Sequence, residues 1–415
     1  MESFTKSVNF FGNTNPDELL KEYGSPLYVY NESVLRDRMT KMTKVVTKYP
    51  FTANFSVKAN TNPSILKMAL ECGMNADAMS PGEILTLEKA GFPREKIFFV
   101  PNNVSAEELQ FAIDRNIITS LDSLSQLELF GKLNKGGRCA VRLNPGVGAG
   151  HHEKVVTAGK NTKFGIAEGD IDQIFEVASK YDLHIVGINQ HVGSLYMTAE
   201  PFLKATKALL GFAEKFTELE FIDFGGGFGI PYHKLADEQA FDVEACREQL
   251  EAIIDEYAKG HDKTPLFKSE PGRFVCAEGG VLLGQVYSKK HNAEKAYVGT
   301  DIGMNVLVRP SMYDSWHDIE VYRNGDVVSP LTSEKETVSV TGNICESGDL
   351  ICKERELPVI EEGDVICVLD AGAYGYSMCS NYNSRLRPAE VMVMADGSTK
   401  LIRRRDTYED LLGRF

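Results

Sequence analysis

Several residues of the types used in amine and acid–base chemistry stand at the ends of short β-rich runs in this chain of 415 residues. The first is Lys58, which closes the run 54–58. A strand-end lysine can be a nucleophile whose amine forms a Schiff base, or it can be a solvated surface charge. Taken alone, Lys58 favours the surface interpretation, so its meaning depends on the residues found with it. At other strand ends stand Asp77, Arg142, His191 and Glu270.

A glycine-rich segment, DFGGGFG at 223–229, follows another apolar run. Glycines let backbone amides approach a phosphate closely, although tight turns use the same residues. The segment is not G-x-G-x-x-G and lies far from the start of the chain. A nicotinamide-binding Rossmann fold is therefore not favoured.

Two further segments carry groups that suit a heteroaromatic cofactor. Glu270 could hold a proton on a ring nitrogen, and Arg273 could bind a carboxylate in a bidentate manner. His191 could stack on a flat ring, while Ser194 could donate to a phosphate. Each also has a structural interpretation, as a Glu–Arg pair at a turn or a strand-end histidine. Together, a lysine, a carboxylate, a histidine and a glycine-rich loop fit pyridoxal 5'-phosphate (PLP).

The elements that must position these residues alternate between β-rich runs and amphipathic helices from about residue 50 to 275, which is typical of a parallel α/β fold. Eight such strands predict a (β/α)8 barrel of the TIM type, with its reactive groups at the carboxyl ends of the strands. A doubly wound open sheet is the alternative, but it needs polar residues only near one switch point. The predicted strands end near Lys58, Asp77, Val100, Asp122, Asn144, His191, Gly225 and Glu270.

After Glu270, helical periodicity gives way to strand-like runs separated by Gly-Asp and Gly-Ser turns. These runs predict a second, mostly antiparallel β domain, similar to a sandwich or a barrel. The strand-like run 27–30 indicates that the first residues join it. We therefore predict a PLP-binding barrel at 36–275 and a β domain formed by 1–35 and 276–415.

The composition excludes several classes of function. A net charge of −14 argues against nucleic-acid binding, which needs clustered Lys and Arg. No apolar segment suffices to cross a bilayer, and no signal peptide is expected. The eight cysteines form no C-x-x-C pair, so we expect reduced thiols in a cytoplasmic protein. His151 and His152 would point in opposite directions on an extended segment, and we predict no metal site.

Beyond single residues, ordered motifs resemble the PLP-dependent barrel decarboxylases that act on ornithine, diaminopimelate or arginine. In the barrel these motifs are FSVKAN at 55–60, HVGS at 191–194, GGG at 225–227 and EPGR at 270–273. Segments of the second domain resemble the diaminopimelate branch of the family, in order to the carboxyl terminus. They are DIGMN at 301–305, RPSMYD at 309–314, CESGD at 345–349, GAYG at 372–375, NYNSR at 381–385 and IRRR at 402–405.

The resemblance implies a role for each candidate residue. Lys58 would hold PLP through a Schiff base, His191 would lie against the ring, and Glu270 would bond the pyridine nitrogen. Cys345 would be the proton donor and Glu346 would contact the distal amine, both entering from the neighbouring subunit of a homodimer. The further cofactor-binding residues would be Asp77, Ser194, Gly225, Gly226, Gly227, Gly272, Arg273 and Tyr374, and the further substrate-binding residues Arg273, Arg309, Tyr313 and Tyr374.

The activity implied by the resemblance is decarboxylation of meso-2,6-diaminopimelate to L-lysine and CO2, the last step of lysine biosynthesis. Three alternatives stay open. The first is a decarboxylase of ornithine, lysine or another diamino acid; ornithine enzymes usually pair the cysteine with aspartate, so Glu346 and Arg309 favour diaminopimelate. A PLP racemase places arginine, not an acid such as Glu270, near the ring nitrogen. A catalytically inactive regulatory homologue is disfavoured by the joint presence of Lys58, His191, Glu270 and Cys345.

Small departures from the family pattern occur at Leu195, Ile302 and Asn343. The family more often has a polar residue, an alanine and a proline at these positions. None of the three replaces a proposed catalytic group. They leave the fine substrate preference open.

Overall fold

The computed structural model describes residues 2–146, 149–150 and 163–415. His151 and His152, considered above as a metal site, lie outside the described residues. None of the helices in the described ranges has both the length and the hydropathy needed to span a bilayer.

The described chain divides into two compact units, each with its own large sheet. We refer to them as the barrel unit and the β unit. The barrel unit comprises Arg38–Ile230 and Ala240–Val275, and the β unit comprises Met1–Asp37, Pro231–Gln239 and Cys276–Phe415.

The strands are numbered in chain order, and most of those in the barrel unit are short. They are β1 (Leu27–Asn31), β2 (Phe51–Ser56), β3 (Asn75–Ala78), β4 (Ile97–Phe99), β5 (Ile118–Leu121), β6 (Arg138–Asn144), β7 (Ala149–Gly150), β8 (Ile166–Ala167), β9 (His184–Asn189), β10 (Gly193–Ser194), β11 (Phe221–Asp223), β12 (Leu266–Ser269), β13 (Gly280–Asn292), β14 (Lys295–Thr300), β15 (Ile319–Arg323), β16 (Asp326–Val327), β17 (Lys335–Thr341), β18 (Leu350–Pro358), β19 (Val365–Val368), β20 (Ala389–Val393) and β21 (Thr399–Arg403).

Many helices begin where a side chain accepts a hydrogen bond from a first-turn amide. Ser105 and Glu108 form a capping box, as their spacing predicts, and Ser80 accepts from the amide of Glu83. The helices are α1 (Phe4–Ser7), α2 (Pro16–Tyr23), α3 (Glu32–Met42), α4 (Pro63–Glu71), α5 (Pro81–Ala90), α6 (Ala106–Ile113), α7 (Leu124–Leu133), α8 (Ile171–Tyr181), α9 (Glu200–Ala213), α10 (Val243–Ala258), α11 (Arg273–Cys276), α12 (Arg309–Tyr313) and α13 (Tyr408–Leu412).

Eight parallel strands close into a ring within the described part of the barrel unit. Their order is β2-β3-β4-β5-β6-β9-β11-β12, and β12 pairs back with β2 in the register Phe267 to Phe51 and Ser269 to Ala53. A doubly wound sheet keeps two open edges, whereas this ring is closed. The predicted (β/α)8 barrel is confirmed, and the open-sheet alternative is wrong.

An aromatic pair fills the inside of the ring. Phe98 of β4 and Phe221 of β11 meet edge to face at 5.2 Å between ring centroids, although their strands are not neighbours. Val186 and Ala140 belong to the same buried cluster. The barrel interior is therefore a packed core, which leaves the carboxyl ends of the strands to carry polar groups.

The β unit is built on a mostly antiparallel sheet, ten-stranded within the described residues. Strand β1, from the start of the chain, lies between β13, which runs antiparallel to it, and β20, which runs parallel. Val29 faces Val281 on one side and Val391 on the other, and all three are buried. The predicted second, mostly antiparallel β domain is confirmed.

The segment Pro231–Gln239 groups with the β unit, although the predicted barrel range 36–275 includes it. Lys234 explains this grouping. Its amine pairs with Asp370 and lies 3.4 Å from Glu278 Oε1, and all three side chains are buried in the β unit. Long-range ion pairs of this kind leave no trace in local periodicity.

Candidate active site

Lys58 lies in the short 3₁₀ turn Val57–Ala59 that follows strand β2. No ion pair or hydrogen bond engages its amine within the described residues. Its positive charge nevertheless acts on four titratable side chains, which gather around it at the carboxyl ends of the barrel strands. They are Asp77, Glu83, His191 and Glu270.

Ser56 joins the end of β2 to the strand ends on both sides. Its hydroxyl is 2.8 Å from Asp77 Oδ1 and 3.2 Å from the carbonyl oxygen of Glu270, and its amide donates to Pro271 O at 3.1 Å. Burial raises the pKa of Asp77 to about 7, although the Lys58 amine acts in the opposite direction. The turn that carries Lys58 is thus held by hydrogen bonds from the preceding residue.

His191 is a neutral ring in this structure. Burial lowers its pKa well below the usual value, and the cations Lys58 and Arg142 lower it further. Its Nδ1 accepts the amide proton of Gly226 at 3.3 Å, so the ring proton is on Nε2. The flat ring lies beside Glu270, whose Oε2 is 3.9 Å from Nδ1.

Glu270 combines burial with an unpaired oxygen. Burial raises its pKa well above the usual value, and the carboxyls of Asp223 and Asp77 raise it further against the opposing cations Lys58 and Arg142. Its Oε1 has no hydrogen-bond partner among the described residues. A buried polar atom left unpaired is costly, so this oxygen fits a ligand that brings its own hydrogen-bonding group.

The glycine loop packs against the neighbouring strand ends. A Cβ on Gly226 would stand 2.0 Å from the carbonyl oxygen of Glu270, and one on Gly225 would stand 2.2 Å from that of Gln190. Gly227 has φ of 115°, a conformation that favours glycine. Its N–H donates no hydrogen bond within the described ranges. The loop therefore presents an amide next to Glu270 and His191, as a phosphate site requires.

Ser194 and Arg273 come together at the same rim. Arg273 Nη2 donates to Ser194 Oγ at 3.0 Å, and Arg273 is buried at the start of α11. The amide of Gly225, in turn, donates to Asp223 Oδ1 at 2.9 Å. The predicted phosphate-binding residues of the barrel thus lie on two adjoining loops that are tied to the strand ends.

The predicted residues of the β unit lie in three places. Arg309 and Tyr313 begin and end helix α12, and Arg309 is buried. Cys345 is exposed beside Asn383, whose side-chain amide donates to Cys345 Sγ at 3.4 Å and accepts from the Cys345 amide at 3.2 Å. Tyr374 lies in the turn after β19 with φ of 56°.

Glu346 neighbours Cys345 and accepts a hydrogen bond from the hydroxyl of Tyr382. This bond raises the pKa of Tyr382. The loop that holds Cys345 and Glu346 is therefore oriented by Tyr382 and by Asn383, which stand next to each other in the chain.

Sequence reasoning missed several of these partners. Ser56 and Asp223 were identifiable only by their position, two residues before Lys58 and two before Gly225. The partners Tyr382 and Asn383 lie in the NYNSR motif, where nothing in the spacing indicates that they reach Cys345 and Glu346.

Comparison with known proteins identifies the family. A family model described as the pyridoxal-binding domain of pyridoxal-dependent decarboxylases matches residues 32–277. The chain belongs to the pyridoxal-dependent decarboxylase family. It is 40% identical over 413 residues to a protein named diaminopimelate decarboxylase from Methanothermobacter thermautotrophicus, covering 97% of this chain and 94% of that one.

Solved structures agree with this decarboxylase assignment. Diaminopimelate decarboxylase from Helicobacter pylori complexed with L-lysine has a TM-score of 0.87 at 30% identity, covering 96% of this chain and 99% of that one. The enzyme from M. jannaschii in complex with L-lysine has a TM-score of 0.86 at 33% identity, covering 96% and 93%. The family resemblance drawn from the motifs is confirmed.

PLP is the cofactor of this decarboxylase, as the resemblance implied. The chain's own residues fit it. The orphaned Glu270 Oε1 suits the ring nitrogen, and the unengaged N–H of Gly227 suits the phosphate. The roles of the individual site residues stay predictions.

Replacing Asp77 by asparagine is expected to flatten the pH dependence of stability in the cofactor-free protein. An unfolded aspartate ionises at about pH 4, whereas burial raises the pKa of folded Asp77 to about 7. Between these values only the folded state keeps the proton. The free energy of unfolding therefore falls as pH rises, and Asp77 contributes about 1.4 kcal/mol per pH unit to that slope. Asparagine does not titrate, so the variant lacks this contribution.

Urea unfolding at several pH values between about 4 and 8 measures the slope. Asp172→Asn on the exposed face of α8 is the matched control and should keep the wild-type slope. Equal slopes for the wild type and Asp77→Asn would contradict the prediction.

Proposed function

We propose that this chain is a diaminopimelate decarboxylase, which converts meso-2,6-diaminopimelate to L-lysine and CO2 in the last step of lysine biosynthesis. The observation that carries the proposal is the 40% identity to a protein of that name over 97% of the chain, which spans both units. Two relatives of the same name were solved with L-lysine bound, and L-lysine is the product of this reaction.

PLP, when bound, accepts the electron pair that loss of CO2 leaves on the substrate carbon. Glu270 supports this by holding a proton at the ring nitrogen. Burial raises the pKa of this carboxyl well above its usual value, so it would hold a proton facing the ring nitrogen more readily than an exposed glutamate does. Neutral His191 packs against the ring without adding a competing positive charge.

The remaining contacts hold the cofactor at the carbon that reacts with the lysine amine and at its phosphate. Lys58 would hold the cofactor through its amine, which makes no ion pair or hydrogen bond within the described residues. The phosphate would be bound by the amide of Gly227 in the glycine loop and by the hydroxyl of Ser194, which accepts a hydrogen bond from Arg273. Ser56 donates a hydrogen bond to Asp77, and the charge of Lys58 lowers the pKa of Asp77 against the larger effect of burial.

The substrate carries two amines and two carboxylates, so it needs both cationic and anionic groups. Arg273, Arg309 and Tyr313 bind the carboxylate that the reaction retains, and Glu346 binds the distal amine. Cys345 returns a proton to the carbon that lost CO2. Its exposed position on a loop, with an amide donor at its sulfur, suits a thiol that gives up a proton.

We further propose a homodimer in which Cys345 and Glu346 serve the site of the neighbouring subunit. Support comes from the exposure of Cys345, which lies on a loop of the β unit in a single chain. We also propose that the enzyme acts in the cytoplasm. The eight cysteines lie in the described residues and none of them is in a disulfide, as a reducing compartment favours.

Purified enzyme supplied with PLP is expected to release CO2 from meso-diaminopimelate in preference to ornithine, lysine and arginine. The physical reason is that these three lack the second carboxylate, leaving a buried arginine without its partner. The ratios of kcat/KM across the four substrates are the measurement. A preference for any of the other three would overturn the assignment.

Mixing two inactive variants, Lys58→Ala and Cys345→Ala, is expected to restore activity. A mixed dimer has one site with both residues intact, so random reassociation recovers about a quarter of the wild-type activity. Lys58→Ala mixed with the double variant Lys58→Ala/Cys345→Ala cannot form an intact site and serves as the control. If the first mixture stays as inactive as the control, Cys345 does not act across subunits.

A further inference from the structure

Arg309 is a buried arginine whose guanidinium is held by two neighbours on the following loop. It is 2% exposed. Nη1 lies 2.8 Å from His317 Nε2, and Nη2 donates to Ser315 Oγ at 3.3 Å. Burying an arginine requires partners for its N–H groups, and the loop that follows α12 supplies these two.

The hydrogen bonds of His317 define its tautomer. Its Nδ1 lies 2.7 Å from the carbonyl oxygen of Leu369, which can only accept, so Nδ1 carries a proton. Arg309 can only donate, so Nε2 carries none. His317 is completely buried. It therefore acts as a neutral acceptor that is anchored to the backbone at one end and to Arg309 at the other.

The ring of Tyr232 packs against both Arg309 and His317. The Arg309 Cζ lies 4.9 Å from the centroid of its ring, and the ring meets His317 edge to face at 5.3 Å. A guanidinium is planar, so contacts at its edge and at its face fix the orientation of its plane.

We propose that His317 is a positioning residue, which sets the affinity of the enzyme for the carboxylate end of its substrate by orienting Arg309. The inference rests on the proposed function, in which Arg309 binds the retained carboxylate. A bidentate contact needs the arginine in one orientation, and a side chain with many rotamers loses affinity if it must be ordered on binding. His317 orders Arg309 before the substrate arrives.

Two substitutions each remove one of the two hydrogen bonds of the His317 ring and keep the other. His317→Asn places an amide donor at the Nδ1 position, which keeps the bond to Leu369 and removes the acceptor for Arg309. His317→Gln reaches the Nε2 position with an acceptor oxygen, which keeps the contact to Arg309. We expect His317→Asn to raise KM about tenfold with kcat within about twofold, and His317→Gln to stay near the wild-type KM.

The matched ligands are L-lysine and 1,5-diaminopentane, the same diamine without a carboxylate. Calorimetric titration of the PLP-bound enzyme should show that His317→Asn weakens L-lysine about tenfold and leaves the diamine unchanged. Ser315→Ala, on a half-buried loop position, removes the longer contact and should weaken L-lysine less. It keeps the test informative if a variant of the buried histidine does not fold.

Two results would overturn the inference. One is an equal loss of affinity for both ligands in His317→Asn, or no loss for either. The other is a fall of kcat and melting temperature in His317→Gln while His317→Asn behaves as wild type. That result would mean that the bond to Leu369, and not the contact with Arg309, is what matters, as expected for a purely structural role. Failure of the proposed function is seen separately, in the substrate preference of the wild-type enzyme.

Discussion

The hydrogen bonding between strands β2 and β12 is the constraint on which the site depends. It closes the barrel and places the end of the run that carries Lys58 beside the end of the run that carries Glu270. Ser56 bonds to the carbonyl of Glu270 from 214 positions away, and its amide bonds to Pro271. Without this closure a lysine and a carboxyl group far apart in sequence would have no fixed geometry.

Closure also forces charged groups into a region with little water. Asp77, Asp223 and Glu270 are all buried, and burial raises the pKa of Asp223 to about 6. Lys268, which packs over the Phe221 ring at 3.7 Å, has its pKa lowered by burial. Burying charges costs free energy that an apolar core would not, so such a cluster marks a site kept for its chemistry.

Much of the barrel site could be predicted because its signals are local. A parallel strand ends where its apolar run ends, so the positions of Lys58, Asp77, His191 and Glu270 predicted one shared rim once eight strands were counted. The contacts that refine the site are not local. The pairing of Lys234 with Asp370 assigns its segment to the β unit, and no periodicity in either segment indicates it.

In the β unit, too, the local elements could be predicted from the sequence and the long-range contacts could not. Its strands were recognisable from alternating apolar runs and Gly-Asp turns, whereas the partners of its functional candidates were not. The spacing between Arg309 and His317 does not indicate that their side chains meet. The role of His317 follows from its tautomer, which is defined by its hydrogen bond to the carbonyl oxygen of Leu369 at the end of another strand.

The central claim is that Lys58 anchors the cofactor at the point where the barrel closes. Reduction of the PLP-bound enzyme with borohydride makes the link to the lysine permanent, and peptide mapping by mass spectrometry then locates it. We expect a single pyridoxyl group, on Lys58. Labelling of another lysine in preference to Lys58 would contradict it.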